Sequence, residues 1–266
     1  MQYKLPQLGP IETQLFAWIQ LQDRNVVKAG EFAKVMSLTA KQESKLYSRL
    51  CRAKLAIRLM KGIYLLPSKI PPGGNWGPNP YWVLDKLMNA IKAKYQITGR
   101  AAFNRYGFSE QVANQIAVYN TYLSGTKIIG GIRYNFIEVD GDRIGAIDFQ
   151  ELHDGSKIPF SSSARTVTDA IYDWSRFGAI SQAFEWIETR AMQKEWVREL
   201  IQSTANFGNV GAARRTGFVL QRAGVSRQML IPLTRMLSVT SSYIPLDPTK
   251  PKRGSVDKIW GVIINA

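Results

Sequence analysis

Between residues 39 and 54, the run TAKQESKLYSRLCRAK sets cations and small polar side chains at helical spacing, the chemistry of a polyanion contact. At about 100° per residue, Lys41, Lys45, Ser48, Arg49 and Arg52 share one arc, and Leu46, Tyr47, Leu50 and Ala53 lie roughly opposite. Thr39 is placed to cap the first turn. A helix with one apolar and one cationic face packs on a small core while its other side meets phosphate. Lysines on such a face hold phosphate, whereas Gln42 and Arg49 can form paired hydrogen bonds and are the candidates for reading base edges, with Ser44 beside them. Taken alone, a stripe of this kind is more often a solvated helix face; its neighbours favour DNA.

Three helices and a ribbon must position that face. Residues 12–22 carry Leu15, Phe16, Trp18, Ile19 and Leu21 on a helical pattern, with Pro10 just ahead of the first turn. Residues 29–36 give a second short helix with Phe32, Val35 and Met36 inward, and Ser37-Leu38-Thr39 links it tightly to the basic helix. The segment LAIRLMKGIYLLP then reads as two short strands joined at Lys61-Gly62, which adds Arg58 and Lys61 to the cationic set. Together these are the parts of a winged helix-turn-helix, whose third helix enters the major groove while the ribbon reaches backbone or minor groove. Residues 1–70 hold 12 Lys and Arg against 4 Asp and Glu, a formal charge of +8, which argues for DNA over a protein-contact module of the same shape.

The chain has 266 residues, a formal charge of +15 and an ordinary globular composition of 45 % hydrophobic and 21 % charged residues. Residues 71–266 are basic as well, with 23 cations against 16 acids. No long apolar segment or signal-like N-terminus is evident, so a membrane is not an expected partner and the expected location is the cytoplasm. The single cysteine, Cys51, excludes an internal disulfide and any zinc site built from paired cysteines; at the edge of the apolar face it is filler. The single histidine, His153, lies in the turn-like run LHDGSK, poor support for a catalytic base. The enzymatic alternative is a metal-assisted nuclease using Asp148, Glu151 and Lys157, yet acids near a hairpin are commonly turn formers. The run GNVGAARRTG lacks the Gly-Lys-Ser/Thr ending of a phosphate loop. No catalytic residue, metal or cofactor is therefore expected.

Five prolines and three glycines crowd residues 67–80, which places a linker at 69–80 between an N-terminal domain, 1–68, and a larger C-terminal domain, 81–266. Beyond the linker, residues 80–94 and 99–106 read as helices. Residues 116–149 change to period-two strands, with Asp140-Gly141-Asp142 as a hairpin turn and Asp154-Gly155 as another turn. Helical spacing returns over 166–175, 180–190, 194–205, 210–223 and 227–237, and VDKIWGVIIN closes the chain as a strand. The expected fold is α+β: a winged helix-turn-helix followed by a domain with a small antiparallel sheet and a helical second half.

The motifs KGIYLLP, ITGRAAFNRYGFSEQ, VYNT, FSSSARTVTDAIYD and GNVGAARRTGFVLQRAGV, in that order over nearly the whole chain, resemble the AbiEi family of antitoxins of type IV toxin–antitoxin and phage-defence operons. The resemblance implies a winged helix that binds inverted repeats in its own double-stranded promoter DNA, with help from the C-terminal domain. It further implies that the C-terminal domain opposes an AbiEii-like toxin related to nucleotidyltransferases, without a stable complex being required. The protein would be a monomer in solution or a dimer on DNA. Arg165, Arg214 and Arg215 map onto a possible second basic surface, although Arg165 and Asp169 are also spaced for an i,i+4 ion pair. The alternative function is a ligand-responsive winged-helix regulator with no toxin partner.

Overall fold

The computed structural model describes residues 8–70, 76–111, 113–237 and 242–265, and the fold is α+β. In chain order the elements begin with α1 (Pro10–Leu21), β1 (Val26–Lys28), α2 (Glu31–Met36), α3 (Ala40–Arg52), β2 (Ile57–Met60), β3 (Ile63–Leu65) and α4 (Pro80–Ala90). Next come β4 (Tyr95–Thr98), α5 (Arg100–Arg105), β5 (Ile116–Asn120), β6 (Gly125–Ile129), β7 (Ile132–Glu138), β8 (Ile147–Glu151) and β9 (Lys157–Ser161). Helices then follow: α6 (Ser163–Tyr172), α7 (Trp174–Phe177), α8 (Ile180–Arg190), α9 (Lys194–Phe207), α10 (Val210–Arg222) and α11 (Ile231–Thr234). Short strands β10 (Ile244–Pro245), β11 (Ser255–Asp257) and β12 (Val262–Ile264) end the chain. The described residues form two compact units: one takes those up to Lys94 with Thr121–Phe136 and Glu151–Ile158, the other takes the rest.

In the first unit, Pro10 starts α1, where its missing N–H would have had no partner in the helix. Leu15, Phe16 and Ile19 of α1, Val27 of β1, Phe32 of α2 and Leu46, Tyr47 and Leu50 of α3 meet in one core with Leu55 and Leu66. Ala53, expected on the apolar face, is the exposed C-cap of α3. Strands β1, β3 and β2 form an antiparallel sheet in that order, with Val27 opposite Tyr64. Gly62 at φ 77° makes the Lys61-Gly62 turn. Strand β1 was not expected, because three residues after a polar break carry too little periodicity to be told from loop. Of the expected linker, residues 71–75 lie outside the described residues; after it, α4 packs on β2 and β3.

One turn and one strand differ from expectation. Asp140-Gly141-Asp142 does not join paired strands: Gly141–Arg143 is a single 3-10 turn, and β7 pairs with β6 while β8 lies beside β9. The hairpin is one strand earlier, at Gly130-Gly131, with φ 59° and 82°. The C-terminal segment is likewise not one strand but the antiparallel pair β11–β12, with β10 parallel to β12.

In the second unit β4 runs antiparallel to β5 and parallel to β9, with Ile97 opposite Phe160. Helix α6 is buried from Ala164 to Ile171 and packs against α8, α9 and α10. Gly217 of α10 lies under the buried Trp260 ring, where a Cβ would fall 2.1 Å from the ring carbons, so this helix face needs glycine. Over 227–237 only Ile231–Thr234 is α-helical. Among the described residues no helix is long and apolar enough to cross a membrane.

Candidate nucleic-acid interface

Helix α3 is fixed at its start, middle and inner face. Thr39 caps it as the spacing foretells: Oγ1 accepts from the Gln42 N–H at 3.3 Å, and Gln42 Oε1 accepts from the Thr39 N–H at 2.8 Å. At the preceding corner Ser37 takes φ 52°, and the Leu38 N–H reaches the Ala33 carbonyl at 2.9 Å. Glu43 turns inward, is buried, and accepts the backbone N–H groups of Gly30 (2.7 Å) and Ala33 (3.0 Å) at the start of α2. Tyr47 stacks on Tyr64 of β3 with ring centroids 4.2 Å apart. Burial, reinforced by Glu43 next to it, raises the Tyr47 hydroxyl far above its ordinary pKa. Replacing Glu43 with alanine strands the buried Ala33 N–H and the part-buried Gly30 N–H and is expected to cost about 2 kcal/mol, read as a lowered urea midpoint.

The expected cations stand clear of this framework. Lys41, Ser44, Lys45, Ser48 and Arg52 on α3, Arg58 on β2 and Lys61 in the turn are all exposed. With the described residues, Lys41, Lys45, Arg52, Arg58 and Lys61 form no ion pair. Ser44, Arg58 and Lys61 line one groove of about 580 Å³ between α2, α3 and the hairpin. Lys34 of α2 lines it too, a cation outside the expected set; of the side chains expected inward on this short helix, Phe32 is buried but Val35 is exposed. Cys51 is half-buried, and burial raises its thiol pKa although Arg58 pulls the other way, as suits a packing residue.

The two residues expected to read bases have partners inside the protein. The Gln42 amide oxygen is occupied by the Thr39 cap, and Arg49 Nη2 lies 2.7 Å from Glu12 Oε1 of α1. Their exposed position was legible, as was the Thr39 cap; that Gln42 closes this cap and that Arg49 meets Glu12 of another helix was not.

The second basic surface does not form. Arg165 is fully buried: Nε lies 2.7 Å from Asp169 Oδ1, Nη2 donates to the Arg143 carbonyl at 2.8 Å, and the guanidinium lies 4.0 Å from the Phe207 centroid. The i,i+4 pair is therefore present, and inside the protein. Arg214 donates to the Ser242 carbonyl at 3.0 Å, and Arg215 to those of Pro245 and Leu246, so both pin the C-terminal chain against α10. Burial pulls the Arg215 pKa down to about 10. Two adjacent arginines on a helix look solvated until the chain that covers them is known.

His153 is exposed in the turn between β8 and β9, and Asp148 accepts the Tyr106 hydroxyl at 2.9 Å. Among the described residues no three His, Cys, Asp or Glu side chains stand close enough together to hold a metal ion.

No family model matches the chain, and no curated protein matches it. Among solved structures, the RV2827C protein from Mycobacterium tuberculosis is similar, with a TM-score of 0.63 at 12 % identity, covering 96 % of this chain and 92 % of that one. At that identity the likeness is one of fold: the chain shares its α+β architecture with RV2827C.

Proposed function

We propose that the N-terminal part of the first unit, α1 to β3, is a winged helix-turn-helix that holds promoter DNA, and that the protein is the antitoxin and autorepressor of a type IV toxin–antitoxin operon. The observation that carries the DNA half is the exposed set Lys41, Lys45, Arg52, Arg58 and Lys61, unpaired by described residues, on elements that the core holds still. Helix α3 has one acid, Glu43, and it is turned inward, so α3 itself sets no carboxylate on its outer face; the nearest acid there is Glu12 of α1, held by Arg49. In this reading α3 lies in the major groove with Lys41 and Lys45 on phosphates and Ser44 and Ser48 near base edges. Arg58 and Lys61 take the flanking backbone. Arg49 reads a base by leaving Glu12 for it, an exchange of one ion pair for a bidentate contact.

The antitoxin half rests on the order of the AbiEi-like motifs. In this reading the partner is a nucleotidyltransferase-like toxin, the protein works in the cytoplasm, and it catalyses nothing. Co-expression with the neighbouring gene tests it: cells carrying that gene alone should stop growing, and cells carrying both should grow. Growth arrest that this protein does not relieve removes the antitoxin assignment. One observation favours the ligand-responsive regulator instead, a cavity of about 390 Å³ in the first unit lined by Trp76, Trp82, Pro67 and Pro78, the two indoles edge to face at 6.2 Å. A neighbouring gene that is harmless when expressed alone points to that reading.

A further inference from the structure

In a chain of charge +15, one cavity of the second unit is lined, among the described residues, without any lysine or arginine. It measures about 360 Å³, and its polar lining is Asp148, Ser162, Glu199, Gln202, Ser203 and Asn206. The two acids come from different elements, β8 and α9. Asp148 uses Oδ2 to accept the Tyr106 hydroxyl, which leaves Oδ1 for another donor. Glu199 forms no ion pair with a described residue. Ser203 adds an independent sign of a missing partner: the residue is 3 % exposed, and its Oγ has no hydrogen-bond partner among the described residues.

The wall of this cavity is built, not loose. Arg165 donates to the carbonyls of Arg143 and Gly145, Gln96 Oε1 accepts the Gly145 N–H at 2.8 Å, and the Ala146 carbonyl accepts the Ser162 N–H at 2.8 Å. Ala146 is thereby held at φ 49°, a conformation that costs an alanine free energy and persists only where its surroundings impose it. Phe207 lines the same cavity and packs so near Gly145 that a Cβ there would lie 2.6 Å from the ring.

We infer that this cavity binds a guanidinium or alkylammonium group. Asp148 and Glu199 supply the charge-assisted acceptors, Ser203 Oγ and the amide oxygens of Gln202 and Asn206 take the remaining N–H groups, and Phe207 faces the alkyl stem. Two carboxylates with neutral side chains and no third acid suit such a donor-rich organic cation. An anion finds no positive side chain here. The cation can come from an arginine or lysine side chain of a partner protein, or from a free polyamine.

The test is titration of the full-length protein with N-acetyl-argininamide and, separately, spermidine, by calorimetry and by the amide shift of Ser203. Saturable one-to-one binding of either is expected. Tighter binding of the arginine probe identifies a protein side chain as the source, and tighter binding of spermidine a free amine. Glu199→Gln and Asp148→Asn should each weaken the preferred probe about tenfold. Glu195→Gln, an exposed acid of α9 that does not line the cavity, should bind as wild type. No saturation by either probe overturns the inference, and so does undiminished binding in both cavity variants.

Discussion

Replacing Lys41, Lys45, Arg58 and Lys61 together with alanine is expected to weaken promoter binding about a thousandfold at physiological salt. Four phosphate contacts at about 1 kcal/mol each multiply to that factor. All four side chains are exposed and make no ion pair with described residues, so little folded-state structure goes with them. The melting temperature should therefore stay close to wild type, because exposed substitutions of this kind change stability by about 0.5 kcal/mol or less. Relief of growth arrest on co-expression should also persist, since the resemblance puts that activity in the C-terminal part. Fluorescence anisotropy with a labelled promoter fragment reads the first effect. A quadruple variant that binds within threefold of wild type places the DNA face elsewhere.

Asp169→Ala is the substitution with the largest expected cost to folding, about 3–5 kcal/mol. Its carboxylate is fully buried and accepts from Thr98 Oγ1 at 2.9 Å, Ser161 Oγ at 2.9 Å and Arg165 Nε at 2.7 Å, with Arg143 Nη2 at 3.4 Å. Truncation leaves the Arg165 guanidinium, also fully buried, without its counter-charge. A double variant, Arg165→Met with Asp169→Ala, should be less destabilised than the sum of the two single changes, because no lone charge then remains inside. Urea unfolding followed by circular dichroism compares the three. Additive losses mean that the pair is not coupled, and a loss below about 1 kcal/mol for Asp169→Ala means that the site is wetter than its burial implies.

What the sequence made legible was local. The outer face of α3, the Thr39 cap and the Lys61-Gly62 turn each depend on residues within four positions of one another, so periodicity and turn chemistry reveal them. What stayed hidden depends on distant partners. Nothing in the spacing around Glu43 shows that α2 brings the Gly30 and Ala33 N–H groups to it. The Arg165–Asp169 pair was legible from its spacing, but burial was not: Arg165, Arg214 and Arg215 looked like surface until the 143–145 loop and the C-terminal chain closed over them. Asp140-Gly141-Asp142 has the composition of a hairpin turn, but strand pairing decides whether a turn joins neighbours, and Gly130-Gly131 took that place. The cations of α3, β2 and the turn were read correctly as exposed; Gln42 and Arg49 were assigned freedom that Thr39 and Glu12 take up.

The salt dependence of promoter affinity tests the cationic face most directly. For the wild type, log affinity should fall linearly with log salt, and Lys41→Ala and Lys45→Ala should each flatten the slope by about one unit, the double variant by about two. Slopes indistinguishable from wild type in both single variants and the double would contradict the placement of α3 against the DNA backbone.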